Sequence, residues 1–147
     1  MDSIRVIGRD NARTPMQWDE SKNAGFSTGQ PWLAVNPNYE KINVQEALAN
    51  PDSIFYTYQK LVQIRKENNW LIRADFELLD TADKVFAYIR KDGDRRFLVV
   101  ANLSNEKQTF SVEGRVKSIL IENTTAKETV EKQILAPWDA FCVELTD

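Results

Sequence analysis

Residues 84–103 read KVFAYIRKDGDRRFLVVANL, with an apolar run on each side of a glycine turn. The runs Lys84–Lys91 and Arg95–Leu103 are rich in valine, isoleucine, leucine and phenylalanine, a composition typical of β-strands. Asp92-Gly93-Asp94 predicts a hairpin turn between them, because glycine adopts the positive φ that tight hairpin turns require. The stretch therefore predicts two adjacent antiparallel strands.

Five further apolar runs, each short and bounded by turn residues, predict additional strands. They lie at residues 76–79, 108–113, 117–122, 129–134 and 140–145. Seven short strands after a helical and irregular first half predict a mostly β chain with an antiparallel β-sandwich of Greek-key type. The aromatic residues inside these runs are expected in the core: Phe76, Phe86, Tyr88, Phe97, Phe110 and Phe141.

Prolines and glycines interrupt the chain up to Pro51 and predict an extended loop that is rich in aromatic residues. Within it, Val44–Asn50 predicts a short helix. Residues 53–68 predict a longer helix with one apolar side, formed by Ile54, Phe55, Tyr58, Leu61 and Val62. Large apolar side chains in so long a loop predict a neighbouring domain that covers them.

Composition excludes several classes of protein. The formal net charge is −3 and the basic residues do not cluster, so nucleic-acid binding is not expected. The chain has no histidine and one cysteine, Cys142, which excludes an internal disulfide and the usual Ser–His and Cys–His catalytic pairs. No apolar run is long enough to span a membrane, and the first residues lack the pattern of a signal peptide. We therefore expect a cytoplasmic protein without membrane partners, in which Cys142 is a buried structural thiol.

A second motif lies at residues 9–18, which read RDNARTPMQW. Further short motifs follow it: Ala24-Gly25-Phe26, Pro31-Trp32 and Asn36-Pro37-Asn38-Tyr39. Together they resemble the loop after the last barrel strand in glycoside hydrolase family 13 α-glucosidases of the oligo-1,6-glucosidase and glucan 1,6-α-glucosidase (dextran glucosidase) type. The resemblance covers nearly the whole chain and is weakest in the predicted strands.

The resemblance implies two parts. Residues 1–72 would be the end of a catalytic (β/α)8 barrel, namely the loop and helix of its last βα unit, and residues 73–147 would be the C-terminal β-sandwich. Such a barrel takes about 250 residues, whereas this chain has 147. We therefore expect most of the barrel to lie outside the chain, as its missing partner.

The resemblance also implies a function, that of a retaining α-glucosidase acting on α-1,6-glucosidic bonds at the nonreducing end of isomalto-oligosaccharides and dextran. Arg9 matches an arginine that helps to line the glucose pocket, where its planar guanidinium group can donate to a sugar hydroxyl and pair with a carboxylate. Arg13 is the less favoured substrate contact and is expected to brace the loop by a salt bridge. The implied ligand is a gluco-oligosaccharide bound by the intact enzyme.

Catalytic residues are not predicted in this chain. Retaining glycoside hydrolysis uses two opposed carboxyl groups, and the family's catalytic carboxylates lie on earlier barrel strands that have no counterpart here. Asp19 and Glu20 are adjacent and are interpreted as solvated surface charges. Gln17 and Trp18 are interpreted as loop packing rather than as sugar contacts. We expect no metal, no other cofactor and no catalysis by the chain alone.

Two other functions remain open at this point. A stand-alone carbohydrate-binding sandwich would present a planar row of exposed aromatic residues on one sheet face, whereas the aromatic residues here fall inside apolar strands. An accessory module that docks to a separately supplied barrel would restore activity when the two are mixed.

Overall fold

The structure, a computed structural model, describes residues 13–123 and 130–146. The chain divides into two compact units between Gln59 and Lys60. The first is irregular and helical, and the second contains the strands. Among the described residues, no helix is long and apolar enough to cross a membrane.

Short helical elements organise the first unit. Two 3-10 turns, Lys22–Gly25 and Pro37–Glu40, precede helix α1 at Val44–Ala49. Helix α2 covers Ile54–Glu67 and runs across the division between the units. Both predicted helices are confirmed to within one residue at each end.

The apolar side of α2 is exposed to solvent. Ile54 is 87% exposed and Tyr58 68%, and no residue of the helix is buried. Most of the stability of a helix in a protein comes from packing of its apolar face. The covering domain predicted from the sequence would bury this exposed face.

The second unit begins with a short helix, α3 at Trp70–Arg73, and continues with strands. Their bounds are β1 Asp75–Leu78, β2 Val85–Asp92, β3 Arg95–Asn102, β4 Gln108–Phe110, β5 Arg115–Glu122, β6 Gln133–Leu135 and β7 Ala140–Thr146. Each overlaps one predicted apolar run, although Thr129 in the sixth run lies outside the described residues. The mostly β fold class is confirmed.

The strands form two antiparallel sheets. One has five strands in the order β1-β2-β3-β7-β5, and the other pairs β4 with β6. Strands distant in the chain are neighbours, since β3 pairs with β7 and β7 pairs with β5, as in Greek-key connections. The hairpin turn is also confirmed: Asp92 pairs with Arg95, and Gly93 has a φ of +59°.

The main core lies between the two sheets. The five-stranded sheet contributes alternate residues of its strands, such as Leu98 and Val100 on β3, which are fully buried. The two-stranded sheet contributes Phe110 and Leu135. We call the side of the five-stranded sheet that faces this core its inner face, and the opposite side its outer face.

The prediction that every strand aromatic belongs to the core is wrong for Phe76 and Phe86. Phe76 is 58% exposed and Phe86 44%. On β2, Phe86 alternates with Val85 and Ala87, and those two residues take the inner face. The outer face carries aromatic side chains as well, so the period of two in the sequence located the strand without indicating which side is covered.

Phe97 is buried on the outer face rather than in the main core. The ring of Trp70 stacks on it, with centroids 3.6 Å apart and planes inclined by 7°. The guanidinium of Arg95 lies 4.6 Å from the centroid of the Phe97 ring, a cation–π distance. Helix α3 therefore covers one part of the outer face through Trp70.

A buried carboxylate, Glu144, lies on β7 beside two cations. Its oxygens accept hydrogen bonds from Arg95 Nε (3.0 Å) and Nη2 (3.2 Å), and from Lys117 Nζ (3.0 Å). The residue is only 6% exposed. The hydrogen bonds from Arg95 nevertheless lower the pKa of Glu144 to about 2, because they stabilise the charged form.

We expect Glu144 to make the stability of the sandwich depend on acid pH. Because its pKa is about 2 in the fold against an ordinary value of 4.5, the unfolded chain binds the proton first as the pH falls. The contribution is therefore full above pH 4.5 and is lost as the pH falls toward 2. Urea unfolding at a series of pH values should show this loss, and Glu144→Gln should flatten the profile in that window.

Glu106→Gln provides the matched control. Glu106 also forms an ion pair, with Lys84, but its side chain is 63% exposed and solvent screens the pair. Equal effects of the two substitutions on the pH profile would contradict the assignment to Glu144.

Candidate substrate-side segment

Backbone hydrogen bonds hold Gln17 and Trp18 against the start of α1. The Val44 N–H donates to the Gln17 carbonyl (2.9 Å), and the Gln45 N–H donates to the Trp18 carbonyl (3.0 Å). The first N–H groups of a helix have no partner within it, so this segment supplies acceptors for two of them. The C-terminal end of the 9–18 motif is therefore fixed to a helix.

The Gln17 side chain braces the loop. Its Nε2 donates to Asn38 Oδ1 (2.9 Å) and to the carbonyl of Ile42. A glutamine amide has two N–H donors, and both are used here within the protein. This geometry supports loop packing over sugar contact for the Gln17 amide nitrogen.

A strained turn follows Trp18. Asn23, Ala24 and Gly25 have successive positive φ angles of 59°, 58° and 65°. The N–H groups of Trp18 (2.8 Å) and Asp19 (3.4 Å) both donate to the Ala24 carbonyl. A left-handed conformation costs a non-glycine residue roughly 1–2 kcal/mol, so these hydrogen bonds hold a conformation that the chain alone disfavours. The sequence marked Ala24-Gly25-Phe26 as a motif but did not predict this backbone.

Replacing Gly25 by alanine should destabilise the turn by roughly 1–2 kcal/mol or more. A Cβ at Gly25 would lie 2.7–2.8 Å from the Asp19 carboxylate, on a residue whose φ is +65°. Hydrogen exchange of the Trp18 amide, which depends on the turn, should become faster.

Gly29→Ala is the control for this substitution. The nearest atom to a Cβ at Gly29 is Ser27 Oγ, at 3.8 Å. Exchange at Trp18 should therefore be unchanged in that variant. If the two alanine variants exchanged equally fast, the proposed role of the Gly25 conformation would be wrong.

Arg9, the predicted glucose contact, lies outside the described residues, as do Asp10 and Asn11. Arg13 is described and its side chain is exposed. The geometry thus tests neither arginine as a substrate contact, and both assignments stay predictions.

Exposed aromatic side chains characterise the rest of the segment. Trp32 is 88% exposed, Trp18 50% and Phe26 48%, whereas Tyr39 is half-buried. Leaving large rings in water forgoes the free energy that their burial would contribute. The segment therefore presents apolar surface that a covering domain or a ligand would stabilise.

None of the described carboxylates with a clear pKa shift has the raised pKa that the catalytic acid of a glycosidase needs. The pKa values of Asp19, Glu77, Glu106 and Glu144 are all lowered. For Asp19 the main cause is hydrogen bonding from Ser21. A glycosidase acid at neutral pH requires a raised pKa instead.

An open depression next to the turn also lacks opposed carboxylates. Its lining residues are Asp19, Ser21, Lys22, Gly25, Phe26, Ser27 and Thr28. It therefore contains one carboxyl group, whereas retaining or inverting hydrolysis normally needs two.

Metal and thiol chemistry are equally unsupported. Across residues 13–123 and 130–146, no group of three or more metal-binding side chains is arranged to hold an ion. Cys142 is half-buried, and burial raises the pKa of its thiol to about 11. The thiol is thus protonated at neutral pH, which favours a structural role over a nucleophilic one.

Two family models match the chain. The model described as Alpha amylase, catalytic domain, matches residues 1–74, which is half of the chain and includes Arg9 and Arg13. The chain belongs to the alpha-amylase family. A second model, described as Alpha-amylase SusG C-terminal domain, matches residues 85–140 within the strands. The family expected from the 9–18 motif is confirmed.

Curated relatives of the alpha-amylase family resemble nearly the whole chain. It is 91% identical over 145 residues to a glucan 1,6-alpha-glucosidase of Streptococcus pneumoniae serotype 4 (strain ATCC BAA-334 / TIGR4), covering 99% of this chain and 27% of that relative. It is 42% identical over 151 residues to an oligo-1,6-glucosidase of Bacillus cereus, again covering 99% of this chain and 27% of the relative. The chain thus spans 27% of the length of these relatives.

Solved structures show the same fold. An isomaltulose synthase (PalI) from Klebsiella sp. LX3 superposes with a TM-score of 0.92 at 32% identity, covering 99% of this chain and 27% of that one. The fold matches that of a protein named as a synthase, whereas the relatives in sequence are named as glucosidases, so the fold alone does not identify the reaction.

Proposed function

We propose that this chain is the C-terminal part of a retaining α-glucosidase that hydrolyses α-1,6-glucosidic bonds at the nonreducing ends of isomalto-oligosaccharides and dextran. The observation that carries the proposal is the 91% identity over 145 residues to a glucan 1,6-alpha-glucosidase. In this proposal residues 1–72 complete the catalytic barrel, and residues 73–147 support it as a sandwich domain. The proposed location is the cytoplasm.

Arg9 holds the glucose ring in this proposal, and Arg13 braces the loop. Arginine suits the first role because its planar guanidinium group can donate to a hydroxyl while it pairs with a carboxylate. The attachment of Gln17 and Trp18 to α1 supports the assignment, since it gives the motif a fixed end. A donor of this kind inside a closed pocket would discriminate strongly against a sugar that lacks the hydroxyl.

The chain by itself is expected to release no glucose from isomaltose. The proposal places the nucleophile and the acid on barrel strands outside this chain, and both groups are needed for the reaction. The test joins the chain to the part of the Streptococcus pneumoniae relative that the match does not cover, which gives a hybrid protein. The hybrid should hydrolyse isomaltose and the chain alone should not, so glucose release by the purified chain would refute the assignment.

Within the hybrid, Arg9→Ala should lower kcat/KM for isomaltose about a hundredfold, which is the usual effect of removing one transition-state donor. Arg9→Lys should recover little activity, because lysine keeps the charge but lacks the planar guanidinium group.

Arg13→Ala should mainly lower thermal stability. Cys142→Ser is the control, with near-normal kinetics expected; the same near-normal kinetics for Arg9→Ala would remove the proposed role of Arg9.

A carbohydrate-binding sandwich is the second candidate, favoured by the exposure of Phe76 and Phe86 on one sheet face. The adjacent rings are tilted, however, by 35° between Phe76 and Tyr88 and by 57° between Phe86 and Tyr88. A flat stacking platform would need nearly coplanar rings. Electrophoresis of the chain in gels containing dextran tests this function, and retardation that Phe86→Ala abolishes would support it.

A further inference from the structure

The connection between β6 and β7 is a tight turn with a tryptophan at an unusual position. The Asp139 N–H donates to the Ala136 carbonyl (3.1 Å), which closes a four-residue turn with Pro137 and Trp138 at its centre. Trp138 has a φ of +61°. A turn with proline at its second position and a positive φ at its third normally has glycine or asparagine there, because a larger side chain is strained in that conformation. Trp138 is therefore an outlier in its own turn.

Burial does not explain this choice of residue. Trp138 is 59% exposed, so its ring contributes little of the free energy that a buried aromatic side chain supplies. Glycine or asparagine at the same position would relieve the strain. Stability alone therefore favours a smaller residue. Strained residues that the surrounding structure holds in place cluster at functional sites, and what tryptophan adds here is an exposed, flat ring.

Hydrogen bonds to other parts of the sandwich fix the backbone of Trp138. Its N–H donates to the Ser104 carbonyl (3.1 Å) in the loop after β3, and its carbonyl accepts from Asn123 Nδ2 (2.8 Å) just after β5. The next residue, Asp139, is fully buried, and its carbonyl accepts from the Asn102 N–H (2.8 Å) at the end of β3. The backbone that carries the ring is thus ordered in advance, which lowers the entropy cost of binding a ligand.

A polar donor lies beside Trp138. Asn123 is exposed, and its Oδ1 accepts from the Ala140 N–H (2.8 Å), which fixes the orientation of the amide. An amide nitrogen has two N–H groups, and the bond to the Trp138 carbonyl uses one of them. The second suits a hydroxyl acceptor. A flat ring next to an amide donor matches a pyranose sugar, which presents C–H groups on its faces and hydroxyls around its edge.

The Trp138 turn lies at the opposite end of the sheet from α3. Trp70 stacks on Phe97 near the start of β3, whereas the Trp138 turn is bonded to Asn102 at the end of that strand. Asn102 comes five residues after Phe97, which is roughly 17 Å along an extended strand. The exposed ring is therefore remote from the part of the sheet that α3 covers.

We propose that Trp138, with Asn123 beside it, is a binding site for an α-1,6-glucan chain such as dextran. The identity of the sugar rests on the proposed function, which is cleavage at the nonreducing ends of such chains. A second contact on the same polymer raises the local concentration of its ends. Isomaltose gains no such advantage, because both of its glucose units are occupied in the reaction.

Electrophoresis in gels containing dextran tests the site in the chain itself. Dextran should retard the chain, and Trp138→Asn should raise the apparent Kd at least about fivefold through loss of the ring. Asparagine accepts the positive φ, so the variant should unfold in urea at the same or a higher midpoint. Trp138→Gly gives the same comparison in a second variant that accepts this φ, and Trp138→Tyr should retain most of the binding because it keeps an aromatic ring.

Phe86→Ala is the matched control, since it removes another exposed aromatic ring of the sandwich. It should be retarded like the unsubstituted chain. An unsubstituted chain that dextran does not retard would overturn the proposal, as would retardation that persists in Trp138→Asn. Retardation that only Phe86→Ala abolishes would place sugar binding on the sheet face instead.

Kinetics of the hybrid protein defined above separate binding of the polymer from a structural effect. Trp138→Asn should raise KM for dextran at least about threefold with kcat unchanged. Both constants for isomaltose should stay the same. A purely structural role would alter the two substrates alike, so equal changes for both, or an unchanged KM for dextran, would contradict the glucan site.

The two proposals fail in distinguishable ways. Dextran binding through Trp138 in a folded hybrid that releases no glucose from isomaltose would contradict the proposed function and support the glucan site. An active hybrid that dextran does not retard would do the reverse.

Discussion

Replacement of Phe97 by alanine will lower the free energy of unfolding of the sandwich by about 3–5 kcal/mol. Phe97 is fully buried, and its ring carries the stacked ring of Trp70 on the outer face. Removing it leaves a cavity and also deprives α3 of its anchor. Urea unfolding followed by tryptophan fluorescence measures the loss, and the emission of Trp70 should shift to longer wavelength even before unfolding.

Phe86→Ala is the matched control, because it is the same substitution on the same face of an adjacent strand. Phe86 is 44% exposed, so less apolar surface is lost and no closed cavity forms. The expected destabilisation is about 1 kcal/mol or less. A Phe97→Ala variant as stable as Phe86→Ala would show that the contact with Trp70 does not hold α3 in place.

The second large effect is expected at Asn102, at the end of β3, where alanine should destabilise the sandwich by about 3 kcal/mol. Asn102 is 2% exposed. Its Nδ2 donates to the carbonyls of Glu106 (2.7 Å) and Ala136 (2.8 Å), and its Oδ1 accepts from the N–H (3.0 Å) and the hydroxyl (2.7 Å) of Ser104. The substitution leaves several of these buried partners unsatisfied, which costs more than the lost bonds alone.

Asn105→Ala is the control for that experiment. Asn105 lies in the loop that follows β3 and is exposed, so its replacement should change the free energy of unfolding by about 0.5 kcal/mol or less. Equilibrium unfolding in urea compares the two variants at one temperature and pH. Similar midpoints for both would contradict the role assigned to the Asn102 network.

The elements of the fold were predictable because their signals are local. The helix at Ile54–Glu67 follows from the spacing of its apolar residues, and the β2–β3 hairpin follows from Gly93 between two alternating runs. The family was equally accessible, because the 9–18 motif carries it in consecutive residues.

The candidate site was predicted only in part, for a physical reason. A substrate contact such as Arg9 was assigned through the motif, and it stays a prediction because it lies outside the described residues. Gln17 was interpreted as a packing residue, and its hydrogen-bond partners Asn38 and Ile42 became apparent only in the fold. The left-handed turn at Asn23–Gly25 could not be predicted, because hydrogen bonds from Trp18 and Asp19, which form only when the chain folds back, hold it against the preference of its residues.

The sequence by itself determined which stretches become helices and strands, where the hairpin turns, and to which family the chain belongs, since each is encoded in neighbouring residues. Only the tertiary structure decided which apolar side chains are covered. Phe86 and Phe97 lie on the same sheet face, yet Trp70 covers the second and leaves the first exposed. Burial depends on what packs against a residue, and that partner is distant in the chain.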